Sequence, residues 1–222
     1  ADLLTCSGKA QIDYLSRFIS RDKLAYLPLG IDTQSFRPPK NQENRDKDLI
    51  ICVGNNRRDY KTLRNIYQIL KYKKPNIQLK LAGTIDVQDY FSDFPEVEIL
   101  PFLQEKEFRN LYNRASILLL PLLEGGSSQT LNEALSSGLP VVTNFFPNLS
   151  DYINTEAVLA FAPKDYKRMA NACINILEDN ERFKRLSKKA RLHMLEYDYS
   201  IIKKKLTTIY EDYLDLEISE DR

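Results

Sequence analysis

From residue 49 onward the chain repeats one pattern: a short apolar run, a glycine or proline, then a longer segment with apolar residues three or four apart. The run 49–53 stops at Gly54, 77–82 at Gly83 and 117–120 at Pro121. Short continuous apolar runs bounded in this way predict strands buried on both faces, as in a parallel sheet. Between them, Leu63, Ile66, Tyr67 and Leu70 share one face of a predicted helix. Phe108, Leu111 and Tyr112 share the inward face of another over 105–115. Further strands are predicted at 97–100, 140–143 and 158–161. A helix is predicted over 128–137, ended by Gly138. Residues 86–94 suit a short helix and 149–153 a turn. This alternation predicts an α/β fold: a Rossmann-like open parallel sheet with helices on both faces.

The two ends of the chain break the pattern. Residues 3–6 and 23–27 read as short strands around a helix over 9–18, with Ser7 as its cap and Ile12, Leu15, Phe18 and Ile19 on one face. A turn-rich stretch follows, Pro28-Leu29-Gly30-Ile31-Asp32 and then Phe36-Arg37-Pro38-Pro39. The polar run 40–48 is predicted to be a linker. From 164 to about 216 the pattern is helical, broken near Asp179-Asn180 and again near Asp198-Tyr199-Ser200. The expected division is 1–39, linker 40–48, a Rossmann-like domain at 49–163 and a C-terminal helical tail at 164–222.

Composition narrows the function classes. The 222 residues carry 32 basic and 31 acidic side chains, so net charge gives no ground for a nucleic acid partner. Cys6, Cys52 and Cys173 are widely spaced in apolar surroundings. They predict buried, reduced thiols and a cytoplasmic location. No apolar run approaches the roughly 18 residues that span a bilayer, and no signal peptide is visible. The chain opens at Ala1, without Met, directly into a predicted strand, so residues are expected upstream. The tail carries Lys184, Arg185, Lys188, Lys189 and Lys203 to Lys205, interleaved with acids. Solvated helices are favoured there over peripheral contact with the inner face of a membrane. His193, the single histidine, reads as a packing or surface residue.

In an open parallel sheet, ligands bind beyond the carboxyl ends of the strands. Three loops lie there. Gly54-Asn55-Asn56-Arg57-Arg58-Asp59-Tyr60-Lys61 places three cations at a helix start, where an anion would be held. Composition alone also fits a solvated basic turn. Pro101-Phe102-Leu103-Gln104 could line a pocket for a flat base, or staple a loop to a helix. Residues 124–138 are the most informative. Gly125 and Gly126 allow close approach to the backbone, and Ser127 and Ser128 can cap the helix and donate to phosphate oxygens. Glu133, about one and a half turns in, can accept from ribose hydroxyls. A Gly-rich turn before a capped helix fits the same residues.

Taken in order, these segments resemble the C-terminal half of retaining GT-B glycosyltransferases (family 4, or group 1 type). The resemblance rests on Gly30-Ile31-Asp32 with Phe36-Arg37-Pro38, on residues 51–63, on residues 112–121, and on Glu133-Ala134-Leu135-Ser136-Ser137-Gly138-Leu139-Pro140-Val141-Val142. It implies a hexosyltransferase-like enzyme that moves a sugar from a nucleoside diphosphate sugar, UDP- or GDP-linked, to an acceptor (glycan, lipid or small molecule) with retention. No cofactor or metal is expected. Carried onto this chain, Arg58 and Lys61 would grip the diphosphate, Phe102 and Leu103 the base, and Glu133 the ribose. In the family's E-x7-E motif the first acid would fall on Gly125; here Glu124 stands one residue earlier as a donor-sugar contact, with Gly126 and Ser127 as backbone alternatives. Residues 1–27 resemble the last strand-helix-strand of the first domain, so the chain alone is expected to be an incomplete enzyme. The rival expectation is a non-catalytic nucleotide-sugar-binding or scaffold module that keeps the fold.

Overall fold

The computed structural model of the protein describes residues 2–41, 45–84, 86–126, 128–153 and 155–220, the side chains of 215–220 excepted. Near the amino end, β1 (Leu4–Cys6) and β2 (Leu24–Tyr26) pair in parallel around α1 (Lys9–Leu15), over a small core of Cys6, Ile12 and Leu24. α1 is shorter than its sequence pattern predicts, because the chain turns after Leu15 and leaves Phe18 72% exposed. Its N-cap is Gly8 rather than Ser7, and the Gly8 N–H donates to Gln11 Oε1 at 3.1 Å.

The main body is a six-stranded parallel sheet of β3 (Leu49–Val53), β4 (Gln78–Ala82), β5 (Glu98–Leu100), β6 (Ile117–Leu120), β7 (Val141–Asn144) and β8 (Val158–Phe161). The strand order is β5-β4-β3-β6-β7-β8. The sheet is flanked by α2 (Tyr60–Lys73), α3 (Glu105–Arg114), α4 (Gln129–Ser136), α5 (Tyr166–Glu178) and α6 (Asn180–Leu195), with α7 (Tyr199–Glu220) closing the chain. Every residue of β3, β6 and β7 is buried, because both faces of these central strands are covered. Alternate side chains serve opposite layers. Ile50, Cys52, Ile117 and Leu119 pack with Leu63, Ile66, Leu70, Met169 and Cys173 of α2 and α5. Ile51, Val53, Leu118 and Leu120 pack with Leu111, Tyr112, Leu131, Leu135 and Met194 of α3, α4 and α6. In the stretch expected as a short helix, only the 3-10 turn Gln88–Phe91 forms, anchored by buried Val87 and Phe91.

The polar run 40–48 contains Arg45, 6% exposed; residues 42–44 lie outside the described set. The Arg45 guanidinium donates to the carbonyls of Tyr112 (2.9 Å) and Ala115 (2.8 Å), at the end of α3, and to Ser137 (2.6 Å), just past α4. One cation thus caps two helix C-termini. Burial lowers its pKa only to about 10, so it is charged at neutral pH. Asp46 and Asp48, spaced as D-x-D, lie at the amino ends of the strands, paired with Arg114 and Lys74.

The segment joining the small sheet to the large one is held from several sides. Asn132 Nδ2 donates to the Leu29 carbonyl at 3.1 Å and Gln129 Nε2 to that of Gly30 at 3.3 Å. The Ile31 N–H donates to Tyr197 O, and the Tyr199 N–H returns to Ile31 O. Ser136 Oγ (2.5 Å) and Arg191 Nη1 (3.0 Å) both donate to Phe36 O.

Asp198 accepts from Ser200 Oγ at 2.6 Å and from Thr33 Oγ1 at 2.5 Å, bonds that hold its carboxyl down to about 2. Because this acid is depressed in the folded state, its contribution is present above the ordinary carboxylate pKa and is lost as pH falls toward 2. Thermal melts from pH 5 to pH 2 should show Tm falling less steeply in Asp198→Asn than in the wild type.

Candidate functional site

The strand order reverses direction between β3 and β6: the chain steps outward from β3 to β4 and β5, then returns to the other side of β3. The loops that leave β3 and β6 therefore part at their carboxyl ends and open a crevice, the usual ligand position in such sheets. Here the two loops are stitched together. Asp59 N–H donates to Pro121 O at 3.0 Å, Leu123 N–H to Arg57 O at 2.9 Å, and Arg58 and Leu122 form an antiparallel bridge.

Arg58 spans the crevice. Its Nε donates to Val53 O (2.9 Å), Nη1 to Asn56 O (2.8 Å) and Nη2 to Thr130 Oγ1 (3.3 Å) in the first turn of α4. Gly54 makes room for it. Its φ of +83° suits glycine, and a Cβ there would stand 2.7 Å from Arg58 Nη2. Among the described residues no carboxylate pairs with Arg58, so its charge is offset only by carbonyl and hydroxyl dipoles.

α4 begins at the same place. Ser128 is its N-cap, the hydroxyl accepting from the Leu131 N–H at 3.4 Å. Gly125 is required by packing, because a Cβ would meet Phe146 Cβ at 2.1 Å. At Gly126 a Cβ would meet nothing within 4 Å, so this backbone faces open space. A cavity of about 290 Å³ is lined here by Asn56, Arg58, Glu124, Gly125, Gly126 and Ser128, among others. Five of the expected site residues thus share one cavity. Ser127 lies outside the described residues. Glu124 stands at the rim, its carboxylate 2.7 Å from Arg57 Nη1, with both side chains more than half exposed. Such a pair contributes about 0–1 kcal/mol and can open readily.

The other expected residues are placed apart. Lys61 lines a neighbouring cavity of about 420 Å³ with Arg58, Tyr60, Tyr90, Lys164 and Tyr166, where the first turns of α2 and α5 meet. Phe102 is 80% exposed, and Leu103 packs partly against the core; neither lines these two cavities. Glu133 is half-buried further along α4, and its Oε2 accepts from the Tyr112 hydroxyl at 2.8 Å. Burial raises the Glu133 pKa and Glu105 raises it further, while the Tyr112 bond works against both. His193 is held by packing, with Nε2 3.2 Å from Tyr152 O and the ring against Tyr197.

Thr130 and Asn56 line the cavity without having been singled out as site residues, and Tyr112 bonds Glu133 from α3. Thr130 carries a signal, as a hydroxyl in the first turn after the cap. Tyr112 carries none, because its spacing reads as core. Among the described residues no three His, Cys, Asp or Glu side chains converge, and no helix is long and apolar enough to cross a membrane. A fixed cation, the N–H groups of a helix start and an unobstructed glycine together suit a diphosphate. The same groups would stabilise negative charge developing on a departing phosphate.

Residues 33–193 match the family described as glycosyl transferases group 1. The MMP alpha-(1->4)-mannosyltransferase of Mycolicibacterium hassiacum is 23% identical over 229 residues, covering 95% of this chain and 54% of that protein. The chain thus spans about half the length of that relative. Sucrose-phosphate synthase from Thermosynechococcus elongatus has a similar fold, with a TM-score of 0.81 at 22% identity over 97% of this chain and 59% of that one. Anabaena HepE, solved with UDP and glucose, aligns with a TM-score of 0.76 at 13% identity over 95% of this chain and 63% of its own.

Proposed function

Since the chain belongs to the group 1 glycosyl transferases, we propose that residues 49–163 bind a nucleoside diphosphate sugar as the donor half of an enzyme that transfers the sugar with retention. The observation that carries this reading is the Arg58 guanidinium, fixed between the end of β3 and the first turn of α4 beside an open glycine backbone. In this reading the diphosphate lies over Gly126 and Ser128. Charge that develops on it as the sugar departs meets Arg58 and the α4 N–H groups. Glu133 receives the ribose, the loop with Phe102 and Leu103 meets the base, and Lys61 adds positive potential from the adjacent cavity. Glu124 leaves Arg57 to meet the sugar hydroxyls. The HepE structure, solved with UDP and glucose, supports a uridine nucleotide as the first ligand to try.

Calorimetric titration with UDP, GDP and their monophosphates tests the proposal. The diphosphate of the preferred base should bind more tightly than its monophosphate by about 1–3 kcal/mol, the scale of a hydrogen bond to a charged group. A folded sample that binds none of them, or binds both phosphate states equally, would count against the site.

One observation favours a second reading, a binding module without turnover. Glu124 is displaced by one residue and paired to Arg57 rather than left free for a sugar. Transfer from a labelled donor by a longer form of the protein separates the two, and the anomeric configuration of the product reports retention.

A further inference from the structure

Tyr112 is anchored at three points. Its carbonyl accepts from Arg45 Nη1 at 2.9 Å, its ring meets Phe36 edge-on with centroids 6.0 Å apart, and its hydroxyl donates to Glu133 Oε2 at 2.8 Å. The side chain is fully buried, so the hydroxyl has a defined position. A buried tyrosine hydroxyl needs a partner, but a backbone carbonyl would serve. Spending a half-buried carboxylate on it is electrostatically unfavourable, since a desolvated anion with one neutral donor is poorly compensated. The arrangement makes sense if the carboxylate has a second task. Among the described residues no protein donor reaches Oε1, which leaves that oxygen for a ligand. A free glutamate on a helix would also lose rotamer entropy on fixing a ligand, and the Tyr112 bond removes that freedom beforehand.

We propose that Tyr112 is a positioning residue for the donor site, holding the Glu133 carboxylate in the orientation in which it receives the ribose hydroxyls. This rests on the nucleotide-sugar reading above. It adds a residue on a different helix, α3, whose seat is set by Phe36 of the joining segment and by Arg45. Tyr112 and Glu105 of α3 face Glu133, and Arg58 and Cys52 act on Tyr112 from the β3 side. Without the phenol, burial and Glu105 act on Glu133 unopposed by that bond, so its carboxyl should take up a proton at higher pH.

The test compares ribonucleoside diphosphates (UDP and GDP) with their 2′-deoxy and 3′-deoxy counterparts on wild type, Tyr112→Phe, Glu133→Gln and the double variant. Phenylalanine keeps the volume, and a thermal melt confirms the fold. Wild type should favour at least one ribose hydroxyl by about tenfold, the equivalent of one good hydrogen bond. Tyr112→Phe should reduce that preference to about two- to threefold, and its affinity for the ribonucleotide should begin to fall at a higher pH as the solution is acidified. The double variant should be no worse than Glu133→Gln alone, since the tyrosine acts through the glutamate. A preference that disappears in Glu133→Gln but is intact in Tyr112→Phe overturns the positioning role and leaves the donor site standing. A wild type that binds nucleotide without a ribose preference overturns the role through Glu133, and a wild type that binds neither nucleotide overturns the donor reading and the role together.

Discussion

Arg58→Ala is expected to weaken nucleoside diphosphate binding by about 1–3 kcal/mol, from about fivefold to over a hundredfold in Kd. Two losses combine in it. The charge that would face the diphosphate disappears, and so do the bonds to Val53 O, Asn56 O and Thr130 Oγ1 that hold the β3 loop against α4. Arg58→Lys separates these losses. It keeps the charge but cannot serve three acceptors lying in different directions from one planar group. Titration of both variants should therefore place Lys between wild type and Ala. Lys equal to wild type would mean that charge alone matters. Ala equal to wild type would remove Arg58 from the site.

Arg45→Ala is expected to lower stability by about 1–3 kcal/mol, the cost of leaving buried acceptors without their donor. Its guanidinium serves the carbonyls of Tyr112, Ala115 and Ser137, and alanine would leave these without that donor beside a cavity of about 330 Å³. Urea denaturation should show a reduced midpoint with little change in slope. A loss below about 1 kcal/mol would mean that water replaces the guanidinium without penalty. Because Arg45 also seats Tyr112, a folded Arg45→Lys should bind nucleotide more weakly even though residue 45 lines no part of the donor cavity.

These two arginines mark where the sequence is legible and where it is not. Arg58 follows a glycine that ends a five-residue apolar strand, so local pattern and strand-end logic together point to it. Ser128 and α4 are legible in the same way, through a capping residue before a helical repeat. Arg45 sits in a run with no periodicity, and its acceptors lie 67, 70 and 92 residues further along the chain. No local signal can carry that. The Tyr112 to Glu133 bond is hidden for another reason: Tyr112 satisfies the apolar spacing of α3 as a core residue, and only its hydroxyl, at the far end of the ring, does otherwise. At Glu124, residue spacing shows the displacement, but pairing with Arg57 depends on that residue's φ of 58°. Ser7 misleads as a cap because Gly8 adopts the extended N-cap conformation one residue later.

The joining segment from Leu29 to Phe36 also constrains the order of events when the chain is made. Its fasteners are Gln129, Asn132, Ser136, Arg191 and Asp198, between 99 and 165 residues downstream. The β3 and β4 ladder and its α2 cover are complete by residue 82, whereas the segment made before them waits for residues up to Asp198. A segment made before the sheet is thus secured only after most of the sheet is made, and contacts this distant in sequence slow the closing step. The unit that contains β1 and β2 gains its own ties to the growing sheet when residues 151 and 152 arrive to meet the Lys9 N–H and the Ser7 carbonyl.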